Sequence, residues 1–261
     1  MIFYFSATGN TRWAAEQIRK NIVDDLLYIP DIINKHEFTL KDGERIGFCF
    51  PVHGWRPPII VREFIRQLRF TNYKDNFCYA VCTAGDTVGE TIEILEHDLA
   101  IAGIKLNSSF SLIMPESYVG MPFMDVDTPE KEKLKITEAD KTLEKYISLI
   151  KTRQNGLQEL TIGRWPRINS RIIGHLFLKY IVKDTPFKVD NDKCIRCGKC
   201  ASLCPVHDIK SGVGLEPEWL HNGKCLTCFA CYHHCPTKAI SFGSRTKNKG
   251  QYWYGHQKTQ H

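Results

Sequence analysis

The sequence predicts an α/β protein in which a doubly wound parallel sheet is followed by a small, cysteine-rich α+β module. Over residues 1–150, short apolar segments alternate with segments of helical length and period, as in a parallel sheet covered by helices on both faces. Eight of the eleven cysteines then fall within residues 194–235, in two copies of one spacing. At 261 residues the chain is long enough to hold one ordinary domain beside this module.

The apolar runs predict strands at residues 1–5, 25–29, 45–50, 77–82 and 110–114. Amphipathic periodicity predicts helices at residues 11–23, 58–68, 87–102 and 129–151. Sheets of this kind bind ligands beyond the carboxyl ends of their strands, at the point where the strand order reverses. We therefore expect the loops after the first, third and fourth strands to form the binding site.

Both cysteine runs have the form C-x-x-C-x-x-C-x-x-x-C-P, a spacing that wraps a short loop around a 4Fe-4S cluster. Zinc sites and disulfides are less favoured, because both runs are intact and both end in Cys-Pro. The stretch resembles the bacterial two-cluster ferredoxins, in which the fourth cysteine of each run binds the other cluster. The resemblance implies one cluster on Cys194, Cys197, Cys200 and Cys235, and a second on Cys225, Cys228, Cys231 and Cys204.

The remaining cysteines, Cys49, Cys78 and Cys82, lie in apolar strand-like segments, where we expect them to act as small hydrophobic residues. Residues 1–5 lack the basic flank of a signal peptide and are too short to span a membrane. Together with the cluster cysteines, these features lead us to expect a protein of a reducing cytoplasm.

Charge is unevenly distributed along the chain. Residues 1–155 contain 19 Lys and Arg against 22 Asp and Glu, whereas residues 156–261 contain 16 against 7. Two clusters with their thiolates would offset part of the basic excess. No recognition helix, aromatic RNA platform or dense basic run accompanies it, so we do not expect nucleic-acid binding.

The first candidate loop follows the first strand. Hydroxyl and N–H groups of a Gly-containing turn at a helix N-terminus form a phosphate cradle, although an ordinary helix cap has the same composition. The S-x-T-G-x-T run of this first loop resembles the flavodoxin phosphate loop. It has no Walker lysine, which suits a phosphate monoester held without magnesium. The resemblance implies a flavodoxin-like sheet with strand order 2-1-3-4-5, and FMN bound through Ser6, Thr8, Gly9, Asn10 and Thr11.

In flavodoxin-like proteins the second and third loops surround the isoalloxazine ring, so the resemblance extends the FMN site to both. It implies that Trp55 stacks on the flavin and that the Gly54 peptide turns toward flavin N5, unless Trp55 only packs beneath the loop. His53 is expected to be structural. The third loop has no aromatic residue, so Tyr118 or the cysteine module is expected to cover the other ring face. The predicted contacts are Pro51, Val52, His53, Gly54, Trp55, Thr83, Ala84, Gly85 and Tyr118.

Residues 156–186 are predicted to form an amphipathic linker helix between a domain at 1–155 and a cluster domain at 187–243, with a tail at 244–261. Its apolar stripe includes Ile168, Ile172, Leu176, Phe177, Tyr180 and Ile181, and basic residues line the opposite stripe over 164–183. We expect the apolar stripe to pack on the protein itself. A membrane surface or an acidic partner is the less favoured alternative.

Taken together, the chain resembles the bacterial EFR-family ferredoxins, described as flavodoxin-ferredoxin fusion proteins. The resemblance implies an electron carrier in which FMN converts between one-electron and two-electron transfer and a redox protein is the partner. No G-x-G-x-x-G follows a strand, so direct exchange with a nicotinamide is less expected. Two alternatives remain: an FMN-dependent reductase of a small oxidant such as a quinone or nitro compound, and a flavin-free ferredoxin. No catalytic residue is assigned.

Overall fold

The computed structural model describes residues 1–256 and divides the chain into two compact units. The first unit comprises Met1–Ser6, Asn10–Pro115 and Glu130–Leu176. The second comprises Ala7–Gly9, Glu116–Pro129 and the described residues from Phe177 onward. Each unit therefore contains segments that the predicted boundary at residue 155 did not assign to it. Residues 257–261 of the predicted tail lie outside the described residues.

Six parallel strands form the main sheet of the first unit, in the order β2-β1-β4-β6-β7-β8, while β3 pairs with β5. Counted within the main sheet, the order is 2-1-3-4-5 with a sixth strand at the edge, which confirms the doubly wound fold. The strands, in chain order, are β1 (Ile2–Tyr4), β2 (Leu26–Tyr28), β3 (Glu37–Phe38), β4 (Ile46–Pro51), β5 (Arg69–Phe70), β6 (Cys78–Ala84), β7 (Ser108–Ile113) and β8 (Leu157–Glu159).

The sixth strand, β8, corrects the sequence prediction, which placed residue 157 in the linker. Only three residues pair with β7, and one of them is a glutamate, so the segment has no apolar run by which it could be recognised. Its pairing with β7, across more than forty residues of chain, makes it part of the first unit.

The helices of the first unit are α1 (Asn10–Ile22), α2 (Ile59–Gln67), α3 (Thr91–Ile101) and α4 (Pro129–Lys151). All four lie within a few residues of their predicted positions. The largest difference is at α3, which begins four residues later than predicted. The N–H groups of Val88 and Gly89 donate to the carbonyls of Thr161 and Ile162, so this stretch pairs with another segment instead of entering the helix.

The central strands β4 and β6 are buried along almost their whole length, as expected for a parallel sheet covered on both sides. Cys49, Cys78 and Cys82 lie in these strands and are fully buried. Burial raises the pKa of all three thiols, to about 12 for Cys82, so they remain protonated and pack as small hydrophobic residues.

The predicted linker helix is helical over residues 168–180, as a π-helical turn (Ile168–Ile173) followed by α5 (Gly174–Tyr180). The expectation that its apolar stripe packs on the protein is wrong for most of its residues. Ile168, Ile172, Leu176 and Tyr180 are exposed. The residues that this helix buries are the small ones, Ser170 and Gly174. No helix among the described residues is long and apolar enough to cross a membrane.

The second unit is a small α+β module. A short helix contains the third cysteine of each run. The core is aromatic, with Phe187, Phe229 and Phe242 packed at centroid distances of 4.7–5.4 Å. Strand β9 pairs antiparallel with β12, and β10 pairs antiparallel with β11. The elements are β9 (Phe187–Val189), α6 (Lys199–Ser202), β10 (Ile209–Gly212), β11 (Leu215–Trp219), α7 (Ala230–His233) and β12 (Ile240–Phe242).

Candidate metal centres and cofactor loops

One cavity in the second unit has four cysteines in its lining: Cys194, Cys197, Cys200 and Cys235. The chain bends tightly between them, with left-handed φ values at Arg196 and Gly198. A Cβ on Gly198 would lie 2.9 Å from the Gly212 carbonyl carbon, so only glycine allows the β10–β11 hairpin to approach this loop.

A second cavity is lined by Cys204, Cys225, Cys228 and Cys231, with Phe187 and Trp219 in its wall. The structure thus brings the eight cysteines together in the two groups that the resemblance implies, with the fourth cysteine of each run beside three from the other. All eight are free thiols rather than disulfides. Their bonds to iron stay a prediction.

Backbone N–H groups point at several of these sulfurs. Those of Asp208, Thr227 and Ala239 donate to the Sγ atoms of Cys204, Cys225 and Cys235 at 3.3, 3.4 and 3.2 Å. Burial raises the pKa of the Cys228 thiol to about 12, so a metal has to displace its proton. Donors of this kind stabilise metal-bound thiolates, and the residues present therefore fit an iron-sulfur cluster in each cavity.

The two cavities differ in exposure. In the first, Cys197 is exposed, and the neighbouring Ile195 and Val213 present 62% and 91% of their surface to solvent. In the second, Cys231 is buried. The first cavity therefore lies closer to solvent than the second at these positions.

A buried histidine next to the second cysteine run was not predicted as a site residue. His233 Nδ1 accepts the N–H of Tyr252 at 3.1 Å, so its Nε2–H donates to the Ser117 carbonyl at 2.6 Å. Burial lowers its pKa to about 4, which keeps the ring neutral, and the two hydrogen bonds set its tautomer. His233 thereby fastens the described part of the tail to α7 within the second unit.

Three predicted cofactor loops follow adjacent parallel strands: β1, β4 and β6. The strand order of the sheet reverses between β1 and β4. The first two loops therefore flank this switch point, where folds of this kind bind ligands. In the first unit, buried Thr11 and Thr83 share a hydrogen bond of 2.7 Å between hydroxyls, and Asn10 Nδ2 donates to the Pro115 carbonyl at 3.1 Å. The Ser6 carbonyl accepts the Tyr28 hydroxyl at 3.2 Å.

Thr8 and Gly9 belong to the second unit. Thr8 Oγ1 donates to Ser117 Oγ at 3.3 Å, and its carbonyl accepts the N–H of Tyr254 at 2.7 Å. Gly9 has φ +94°, and a Cβ there would lie 3.0 Å from the Tyr254 Cβ. The predicted phosphate-loop side chains of Thr8, Asn10 and Thr11 therefore already have partners within the protein.

The second loop turns sharply through Gly54 and Trp55, which both have left-handed φ, at +58° and +57°. Trp55 Nε1 donates to Thr87 Oγ1 at 3.1 Å, which ties this loop to the third one. The Val52 N–H donates to the Thr83 carbonyl at 2.8 Å, just beyond Pro51 at the end of β4. Burial lowers the pKa of His53 to about 4, in keeping with a structural role.

The third loop has a cation beside it that sequence analysis missed. Lys135, on α4, donates from Nζ to the Gly85 carbonyl at 2.7 Å. Ala84 is the last residue of β6, so this lysine lies at the carboxyl edge of the sheet. Fifty residues separate Lys135 from Gly85, and no local pattern links them.

The second and third loops are also held by the segment that the sequence analysis assigned to the linker. Ser170 Oγ donates to the Trp55 carbonyl at 3.0 Å and accepts the Glu90 N–H at 2.8 Å. Arg56 Nη1 donates to the Ser170 carbonyl at 3.1 Å. Gly174 packs so closely on the Gly54 carbonyl that a side chain there would clash. The π-helical turn therefore forms one wall of these loops.

Tyr118 lies in the second unit. Its ring packs edge-on against Phe177 and Phe229 at 5.4 and 5.3 Å, and its hydroxyl is buried without a hydrogen-bond partner among the described residues. Burial raises its pKa. The structure thus gives Tyr118 a packing role in the aromatic core of this unit, and its predicted contact with a flavin stays a prediction.

Comparison with known families supports the assignment of the cysteine module. Residues 187–236 match the family described as the 4Fe-4S dicluster domain. The protein thus contains a ferredoxin-type 4Fe-4S domain that follows a flavodoxin-like parallel sheet. No curated protein matches the sequence.

Three solved structures are similar to this chain at low scores. A protein described as a flavoprotein, from Bacteroides uniformis, has 17% identity, a TM-score of 0.35, and coverage of 52% of this chain and 96% of its own. The Trp repressor binding protein from Bacillus subtilis has 14% identity, a TM-score of 0.33, and coverage of 54% and 96%. An azoreductase from Bacillus anthracis has 9% identity, a TM-score of 0.36, and coverage of 58% and 98%. Because these scores are low, the assignment of the fold rests on the strand order of the chain itself.

Proposed function

We propose that this protein is an electron carrier that passes electrons between two 4Fe-4S clusters and FMN, and on to a redox protein partner. The observation that carries the proposal is the pair of cavities in the second unit, each with four cysteines in its lining. Thiolate-bound 4Fe-4S clusters supply one-electron transfer at potentials that the surrounding protein sets.

The exposed loop of the first cavity is the proposed contact for the partner. Ile195 and Val213 offer an apolar patch beside Cys197, and the exposed Lys199 and Lys210 add positive charge. A patch of this kind favours brief docking with an acidic redox protein, because complementary charge speeds encounter more than it strengthens binding.

FMN is proposed for the carboxyl edge of the main sheet, at the switch point between β1 and β4. The side-chain hydroxyl of Thr8 already donates its single proton to Ser117, so we infer that main-chain N–H groups at the start of α1 hold the phosphate. Lys135 would place positive charge near the ring edge, which favours the reduced, anionic flavin.

The proposal is tested by anaerobic reconstitution, with iron, sulfide and FMN counted, followed by a redox titration monitored by visible absorbance and electron paramagnetic resonance. We expect about eight irons and one FMN for each chain. Eight irons without FMN would leave a flavin-free ferredoxin. Steady turnover of a quinone or nitro compound by the reduced protein would assign the reductase activity instead.

Two cysteine variants test the crossed grouping. Cys204→Ser removes a thiol from the second cavity and Cys235→Ser removes one from the first, so each should alter only one of the two cluster signals. Cys49→Ser, in the buried β4 strand, is the control and should keep both. If Cys204→Ser altered the same cluster as Cys197→Ser, the grouping would be wrong.

A further inference from the structure

The surface of the first unit carries a continuous row of exposed apolar side chains along residues 165–176. Trp165 and Ile172 are each 57% exposed, and the others are 44–47% exposed. Large apolar groups in one contiguous row are uncommon on a protein surface and mark an interaction site. We restrict the name apolar stripe to this exposed row, which leaves out Phe177, Tyr180 and Ile181 of the predicted stripe and consists of Trp165, Ile168, Ile172, Ile173 and Leu176.

The apolar stripe is held outward by contacts on the opposite side of the helix. Ser170 and Gly174 are buried there, against the Trp55 carbonyl and the Gly54 carbonyl respectively. Both residues are small, so the helix backbone lies directly on the loops. Turning the apolar stripe inward would break these contacts and force bulky side chains into the space that glycine and serine occupy.

Positive charge accompanies the apolar stripe without acidic residues in the same segment. Between Leu160 and Lys183 there is no Asp or Glu, while the segment contains Arg164, Arg167, Arg171, Lys179 and Lys183. Glu90, from another part of the first unit, pairs with Arg171 at 2.7 Å and lies 3.9 Å from Arg167. The Arg164 guanidinium lies 5.5 Å from the Trp165 ring centroid.

We propose that the apolar stripe and its flanking arginines dock the protein on an anionic membrane surface. A helix with an apolar side, a Trp just before its first turn and basic flanks can lie in the lipid headgroup region, where the apolar groups enter the acyl boundary and the cations meet lipid phosphates. A second copy of this chain is a poorer occupant, because a twofold contact would bring the same arginines of both copies together. Docking would place the second and third loops, which contact Ser170, beside the headgroups.

The test uses the full-length, cluster-loaded protein and co-sedimentation with vesicles. Phosphatidylcholine vesicles are compared with vesicles in which roughly one third of the lipid is phosphatidylglycerol. We expect binding to the anionic vesicles to be at least about tenfold stronger, and to weaken as salt is raised because the Debye length shortens.

Two variants locate the contact. Trp165→Ser with Ile172→Ser should lower partitioning into anionic vesicles by roughly tenfold or more, since two exposed apolar side chains no longer enter the lipid. Arg164→Glu should lower it by a similar factor. Leu134→Ser is the matched control, because Leu134 is 61% exposed on α4 but lies outside the apolar stripe, and it should bind as the unaltered protein does.

Equal binding to neutral and anionic vesicles, or no binding to either, would overturn the proposal. It would also be overturned if the protein formed dimers that Trp165→Ser with Ile172→Ser dissolved, since the apolar stripe would then be a contact between copies. All variants alter exposed side chains, and iron content and thermal unfolding are measured on each preparation to show that folding is retained.

Discussion

Asp98 shows how a single buried charge is maintained in the first unit. Its carboxylate is fully buried on α3 and accepts hydrogen bonds from Arg62 Nε at 2.6 Å and Arg66 Nε at 2.7 Å. Burial alone would raise its pKa, but the hydrogen bonds and positive charges of the two arginines outweigh this, and the pKa is lowered. The carboxylate is thus ionised at neutral pH and links α2 to α3.

We expect Asp98→Asn to lower the free energy of unfolding at pH 7 by roughly 3 kcal/mol, because two guanidinium groups lose their buried partner. The folded-state pKa lies below the ordinary value of 3.8, so this stabilisation is present above that pH and is lost as the pH falls through the folded-state value. Urea unfolding at pH 7 and at about pH 3 measures both effects.

The control for this experiment is Asp140→Asn, at an exposed position on α4, which should change stability little at either pH. A difference between Asp98→Asn and the unaltered protein that stayed constant down to pH 3 would contradict the assigned direction of the pKa. Effects of acid on the iron-sulfur clusters are common to both proteins and cancel in the comparison.

Strands β4 and β6 show a close approach that only a small residue permits. Gly47 pairs in register with Tyr79, whose ring lies over it, and a Cβ on Gly47 would come within 2.5 Å of the Tyr79 hydroxyl. Tyr79 is fully buried, and its hydroxyl has no hydrogen-bond partner among the described residues. The pairing of these two strands thus includes both a steric limit and an unsatisfied polar group.

We expect Gly47→Ala to lower the free energy of unfolding by about 1–3 kcal/mol through this clash. Tyr79→Phe should raise the free energy of unfolding by about 1 kcal/mol, because it removes a hydroxyl that is desolvated on folding and gains no hydrogen bond in return. Thermal and urea unfolding of both variants provide the measurement.

Tyr146→Phe is the matched control for Tyr79→Phe. The Tyr146 hydroxyl donates to the Ser111 carbonyl at 3.2 Å, so its removal should destabilise the protein by about 1 kcal/mol. Loss of stability in Tyr79→Phe as large as in Tyr146→Phe would show that the Tyr79 hydroxyl has a partner after all.

The two units differ in what holds each of them together. The first has a six-stranded sheet with buried apolar side chains on both faces. The second has strands of three to five residues and two cysteine-lined cavities. Iron-sulfur clusters in those cavities would supply cross-links that the short elements do not, so stability of the second unit is expected to depend on metal.

We expect removal of iron with a strong chelator under anaerobic conditions to unfold the cysteine module while the parallel sheet remains folded. Limited proteolysis should then cut within residues 187–243 at a rate at least about tenfold higher than before, while the region of the first unit resists. The cluster-loaded protein treated with protease alone is the control. Unchanged cleavage after iron loss would show that the module folds without clusters.

Local patterns in the sequence determined most of the fold and the position of the cysteine module, whereas the grouping of the eight cysteines was implied by the resemblance to two-cluster ferredoxins. Alternating apolar and amphipathic segments located five of the six strands of the parallel sheet and the four helices of the first unit, because each pattern lies within one element. The C-x-x-C-x-x-C-x-x-x-C-P spacing predicted the cysteine module, because three thiols of each run meet around one short turn.

Only the tertiary structure decided the features that depend on distant partners. Strand β8 is recognisable through its pairing with β7, Lys135 reaches Gly85 across fifty residues, and Ser170 joins the loops at Trp55 and Glu90. Helical periodicity showed that residues 168–180 have an apolar side but not which side faces the protein. That choice follows from the close approach of Ser170 and Gly174 to the loops, which leaves the larger apolar side chains in solvent.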